Sequence, residues 1–274
     1  MKIKRLLAAI TAAASLFLAA CSTVQTTSPG AVGVDRTQRM SSLVSEAQMR
    51  QEANQAYAQI VQQQRQKGTL NDDAALTSRV RTITSRLIPA SAAFRPEARS
   101  WNWEVNVFDS PEINAWVMPG GKIGVYSGLV KKLNLTDDEI AAVLGHEIAH
   151  ALREHARERA SEQVGAQVLI SGAAVLLGAG DAASDLGNVF YKTFFGLPHS
   201  RLQETEADRI GVEIAARAGY DPRAAITLWQ KMAQKAGGSG GPEFLSTHPS
   251  AENRLKDLQV YAQRVMPLYQ QASR

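Results

Sequence analysis

The stretch AVLGHEIAHALREH, residues 142–155, holds three of the chain's five histidines. Positions four apart on a helix share a face, so His146 and His150 can point at one ion. Glu147 then lies about 100° round the helix from His146, close enough to reach a water at the metal without being a ligand. Neutral imidazole binds zinc at about 2.0–2.1 Å. His-Glu-x-x-His is therefore two ligands and a general base on one rigid scaffold. A zinc site needs a third ligand that this stretch does not contain, so the fold has to bring one from elsewhere. His155, five residues past His150 and about 140° off the ligand face of a continuous helix, is expected at the surface.

ETEAD, residues 204–208, offers that third donor. Glu204 and Asp208 share a helix face, with Glu206 turned roughly opposite. Glu204 would complete a His, His, Glu set and leave a fourth position for water. Asp208 would accept a hydrogen bond from the far nitrogen of His146, holding the ring and raising its basicity. The competing reading is a solvated helix face with Arg201 and Arg209 as partners. His199 has no motif partner and is given no role.

The surrounding pattern predicts an α+β fold that is mainly helical. Apolar spacing gives a helix over 41–66, and a second runs from an Asn71-Asp72-Asp73 cap to about Ile88, where Pro89 is expected to stop it. Alternation in WNWEVNVFDS and a Pro-Gly-Gly turn further on predict a small antiparallel sheet over 101–127. Thr136 with Glu139 is a capping box opening one long helix through HEIAH. The apolar stretch 164–180 is too short for a straight span and reads as a buried helix or an apolar flap facing membrane or substrate. The Glu204 helix ends at Gly219, another runs from Asp221-Pro222 to about Lys235, and a last one starts near Pro249. Between them, Gly237 to Gly241 mark a flexible loop.

Formal net charge is +4, of which Lys2, Lys4 and Arg5 supply three, so the remainder gives no reason to expect nucleic acid. Those residues precede an apolar run ending in Leu18-Ala19-Ala20-Cys21. The pattern reads as a signal peptide over 1–20, with Cys21 as a lipidation site and 21–40 as a lipidated cysteine and flexible tether. Residues 41–274 then form the single folded domain. Ser22, in place of Asp, favours the periplasmic face of the outer membrane over the inner membrane.

HEIAH, ETEAD and THPSAENR, in that order, together with INAWVMPGGKIGVYSGLV, resemble the zinc metallopeptidases of the CAAX prenyl endopeptidase/HtpX family, in the periplasmic BepA/LoiP-like lipoprotein type. The resemblance covers about residues 41–263. It implies a zincin-like fold with a zinc-binding helix pair, one zinc ion per chain, and Glu204 as the ligand. It also implies that His248 and Arg254 stabilise a developing oxyanion, and that His248 can alternatively bind the zinc as a fourth ligand in a latent state. The bland reading of His248 is a helix-start residue before Pro249. The Gly237–Gly241 loop is expected to let His248 alternate between these positions. The strand around Asn114 and Ala115 is expected to take substrate as an added β-strand.

The function expected is a periplasmic zinc endopeptidase degrading misfolded or unassembled outer-membrane proteins, lipid-anchored to the membrane, with the outer-membrane assembly machinery as a partner. The alternative is a zinc-stabilised chaperone or assembly lipoprotein, for which Glu147 would be dispensable.

Overall fold

The computed structural model describes residues 21–176, 186–236, 242–249 and 253–273, with the backbone alone at 21 and 168–176. The expected leader, the Gly237–Gly241 hinge and the far end of the apolar stretch lie outside the described residues, as do the side chains from 168 that would decide its reading.

Strand β1 (Cys21–Val24) pairs antiparallel with β2 (Gln38–Ser41). The tether expected over 22–40 is thereby corrected: this segment is an arm built into the fold. Val32 and Val34 enter the main core, and the Val32 amide donates to Glu213 Oε2 at 2.9 Å. Buried Gln38 donates to the Arg153 carbonyl at 2.7 Å. These anchors are scattered among small polar residues and their partners are more than a hundred residues away, so composition alone reads the segment as solvated.

Helix α1 (Glu46–Gln66) opens on a Ser45/Gln48 capping box. Helix α2 (Ala74–Ser91) is capped by Asp73, as expected, but continues through Pro89. The carbonyl that loses its partner there belongs to exposed Ser85 and can bond water instead. Strands β3 (Glu104–Phe108), β4 (Ala115–Met118) and β5 (Lys122–Tyr126) form one sheet in the order β3-β5-β4. The sheet is mixed, which corrects the antiparallel expectation: β4 and β5 are an antiparallel hairpin, whereas β3 runs parallel to β5. Gly120 and Gly121 make the hairpin turn at φ +85° and +90°, a region glycine enters without a Cβ clash. β4 is left at the sheet edge.

After the short α3 (Ser127–Leu133), α4 (Asp137–Leu152) carries the His-Glu-x-x-His segment. Both hydrogen bonds of the Thr136/Glu139 capping box form. One long helix was the expectation, but the rod breaks at Glu154, whose φ is +52°, and α5 (His155–Leu176) sets off in a new direction. Short α6 (Leu186–Tyr191) leads to α7 (Arg201–Arg217), capped by Ser200 and bearing Glu204 and Asp208.

Gly145 of α4 and Gly211 of α7 bring these two helices together. A Cβ on Gly211 would lie 2.7 Å from the His146 amide nitrogen, and one on Gly145 2.8 Å from the Gly211 carbonyl oxygen. Backbone meets backbone there, which sets His146 and Glu204 within reach of one another. Helices α8 (Ala224–Ala236) and α10 (Arg254–Ala272) flank the pair, with short α9 (Phe244–Thr247) before His248. Helix α10 starts at Arg254, five residues after the expected Pro249. Ile140, Leu144, Ile210, Ile214, Leu228 and Leu258 fill the core among these helices. The molecule is α+β and mainly helical.

Candidate metal centre

His146, His150, Glu204 and His248 are all buried, and each offers a ligand atom such that all four lie within 4.8 Å of one another. Chain folding therefore brings together the three expected ligands and the possible fourth. His146 Nε2 and His150 Nε2 stand 3.0 Å apart, with Glu204 Oε1 3.3 Å from His150 Nε2. His146 Nδ1 lies 3.0 Å from Asp208 Oδ1, as expected. Donating its proton there leaves Nε2 as a bare lone pair. His248 Nδ1 lies 3.1 Å from the Phe244 carbonyl, so its Nε2 is also bare when Nδ1 donates.

Glu204 Oε1 and His248 Nε2 are fully buried without a hydrogen-bond partner among the described residues. Bare nitrogens and an orphaned carboxylate oxygen facing one point repel or go unsatisfied unless a cation sits between them. Three imidazoles and a carboxylate are a zinc donor set, so the residues fit the ion. Burial pushes Glu204 upward, but His248, His146 and Arg254 outweigh it and hold the carboxyl below its usual range. Burial, then the neighbouring His146 and His155, keep His150 well below the ordinary histidine value and hence neutral, the form that ligates.

Glu147 faces a cavity of about 460 Å³ lined by Asn114, Ala115, Trp116 and Val117 on one side and by His150 and His248 on another. Its Oε1 lacks a hydrogen-bond partner among the described residues and lies 3.2 Å from His248 Nε2. Burial, and then the charge of Glu204, raise its pKa well above the carboxylate range, with Arg254 and the Val117 backbone pulling the other way. Asn114 and Ala115 border this cavity at the start of the edge strand, where a substrate strand was expected.

Arg254 requires a correction. Its Nη1 donates to Glu204 Oε2 at 2.8 Å and its Nη2 to Asp208 Oδ1 at 2.7 Å, while its guanidinium lies 3.3 Å from the Trp229 ring centre. It is absent from the cavity lining. A guanidinium with two buried carboxylates in reach satisfies them first, so in this structure Arg254 is turned to Glu204 and Asp208 and away from the cavity.

His155 is also corrected: it is fully buried, because the break at Glu154 turns it back towards α4. Its Nδ1 lies 2.8 Å from His150 Nδ1 and its Nε2 3.0 Å from Glu206 Oε2. Glu206 does point away from Glu204, yet it is buried as well. Burial would raise it, but hydrogen bonds from His155 and Arg36 outweigh this and hold it at about 2.

His199, given no role by the sequence, lines the cavity. Its ring centre lies 3.9 Å from that of His150 and 4.9 Å from that of His248, and Arg159 contacts its Nδ1. Phe194 and Phe195 close the cavity wall against Trp116. Neither His155 nor His199 carries a spacing signal of its own; their convergence on His150 is visible only in the fold.

The Peptidase family M48 model matches residues 74–262. The chain is similar to "Mitochondrial metalloendopeptidase OMA1" of Arabidopsis thaliana, at 40% identity over 57% of this chain and 30% of that protein. The corresponding Saccharomyces cerevisiae protein is 34% identical over 62% of this chain and 50% of its own length. "Beta-barrel assembly-enhancing protease" of Escherichia coli is 31% identical over 78% of this chain and 44% of that protein. The chain thus spans from under a third to half of these relatives' lengths. A match over about two thirds of the chain, converging on a buried zinc donor set with a carboxylate beside it, establishes that the chain belongs to peptidase family M48, a zinc-dependent metallopeptidase family.

Proposed function

We propose that the chain is a zinc endopeptidase of the bacterial periplasm, held at the periplasmic face of the outer membrane through lipidated Cys21, that degrades misfolded or unassembled outer-membrane proteins. The observation that carries the endopeptidase reading is Glu147, buried beside the metal donors with an unsatisfied oxygen on the wall opposite an edge strand. His146, His150 and Glu204 would hold the ion. Zinc there supplies Lewis acidity, lowering the pKa of water and polarising a carbonyl. Glu147 takes the proton from the attacking water and delivers it to the leaving amine. His248 stands where its Nε2 can donate to the developing oxyanion once protonated.

Among the described residues β4 pairs with β5 only. A substrate strand on its other edge gains main-chain hydrogen bonds with little sequence demand, which suits unfolded chains. The envelope assignment draws support from the leader pattern ending at Cys21, and from the assembly function printed in the Escherichia coli relative's name. With 22–40 packed as an arm, an anchor at Cys21 would hold the domain close against the bilayer.

A second reading is favoured by His248. Four protein donors close a zinc site, whereas catalytic sites keep one position open. With His248 as a fourth ligand the site would be latent, compatible with a holdase. Cleavage of an unfolded model protein by zinc-loaded wild type, His248→Ala and Glu147→Gln tests both. The peptidase predicts cleavage by wild type, and none by Glu147→Gln at equal zinc content; a rise in His248→Ala marks His248 as the latch, and a fall marks it as the oxyanion donor. Zinc binding without cleavage by wild type or His248→Ala would replace the peptidase with the holdase.

A further inference from the structure

His150 and His146 are backed differently. His146 reaches a carboxylate directly, through Asp208. Behind His150 stands a second histidine, and only behind that a carboxylate. Both contacts, His150 Nδ1 to His155 Nδ1 at 2.8 Å and His155 Nε2 to Glu206 Oε2 at 3.0 Å, are of hydrogen-bond length. Glu206 is held in turn by Arg36 from the N-terminal arm, at 2.5 Å to Oε1, and by Arg153 at 3.1 Å to Oε2.

The protons of this chain can be assigned in one way when Nε2 of His150 faces the ion, so the assignment rests on the metal reading above. A ligating Nε2 is unprotonated, and neutral imidazole then carries its proton on Nδ1. That proton must go to His155 Nδ1, which must be a bare acceptor. His155 therefore carries its own proton on Nε2 and donates it to Glu206. We propose that His155 and Glu206 form a histidine–carboxylate relay that positions His150 for zinc, with Arg36 of the arm fixing its far end. His155 is a positioning residue: it touches the ligand and never the substrate. The alternative use of the same nitrogens is a second metal held by His150, His155 and His199, whose ligand atoms also cluster. That use would require His150, already ligating through Nε2, to give up its Nδ1 proton and bridge two ions as an imidazolate, whereas the relay keeps it neutral.

The test is competition for zinc between the full chain and a chelator of known affinity, with folding of each apo-variant followed by circular dichroism. His155→Leu removes the acceptor and is expected to weaken zinc binding ten- to a hundredfold. His155→Gln restores an oxygen acceptor and is expected to recover most of the loss. Ring nitrogen NMR of the zinc-loaded wild type should show His155 bare at Nδ1 and protonated at Nε2. Equal losses in the two variants, a proton on His155 Nδ1, or a second equivalent of bound zinc would each overturn the relay. If His155→Leu does not fold, the NMR assignment decides alone. A wild type that binds no zinc would overturn the metal reading itself, an outcome separate from zinc bound with the wrong tautomer.

Discussion

Asp208 serves two groups with one carboxylate oxygen: Oδ1 accepts from His146 Nδ1 at 3.0 Å and from Arg254 at 2.7 Å. It therefore fixes the ligand ring and, through Arg254, the ligand carboxylate Glu204. Asp208→Asn keeps an acceptor of the same shape but loses the charge that faces the His146 Nδ1 proton. Zinc affinity is expected to fall ten- to a hundredfold, read by chelator competition with the far-ultraviolet spectrum unchanged. At this scale His146, Glu147, His150, Glu204 and Asp208 are legible in the sequence, because a helix repeats every 3.6 residues and spacing alone decides which side chains share a face. Arg254 is legible as part of the site but not in its direction, which depends on the two carboxylates of α7 being nearer than the cavity.

Between elements, the decisive contact is α4 against α7 at Gly145 and Gly211. The atoms a Gly211 Cβ would meet, His146 N and Cα at 2.7 and 2.8 Å, are backbone, so nothing can rotate out of the way. Gly211→Ala is expected to force the helices apart at a cost of about 1–3 kcal/mol, lowering the melting temperature by a few degrees in a chain of this size. Because His146 and Glu204 flank the contact on opposite helices, zinc affinity should fall with it. A variant with unchanged melting and unchanged zinc affinity would show that the helices do not meet there. Helix starts such as Asp73 and Thr136 are readable because their caps are local. The end of α4 is not: a left-handed residue at Glu154 defies the propensity of its neighbours. The parallel pairing of β3 with β5 likewise depends on which strand slips between two others, and alternation is the same either way.

Over the whole molecule the arm ties the N-terminal segment to the back of the metal centre. Glu158 on α5 accepts from Arg36 at 2.6 Å, from Gln203 at 2.9 Å and from Gln38 at 3.1 Å. Burial would raise its pKa, but the Arg36, Gln203 and Gln38 hydrogen bonds outweigh burial and leave it depressed. A depressed carboxyl contributes stability that is present above the ordinary glutamate range and is lost as pH falls through the lowered value. Denaturant unfolding of wild type should thus lose more stability between about pH 5 and pH 3 than Glu158→Gln; parallel pH profiles would remove Glu158 from the arm's attachment. Zinc binds the folded chain through donors that no unfolded chain gathers, so a chelator should lower the melting temperature, by an amount that grows with zinc concentration in the reference sample. The sequence by itself determined the helices that carry His146, Glu147, His150, Glu204 and Asp208 and which of these side chains share a face, since each is encoded within a few residues by helical period and local caps. Only the tertiary structure decided that the arm is packed, that His155 and His199 join the site, that Arg254 turns to Glu204 and Asp208, and that four donors close around one point. Each of these depends on atoms brought together from distant parts of the chain, where burial leaves a charge or lone pair no partner but the one the fold supplies.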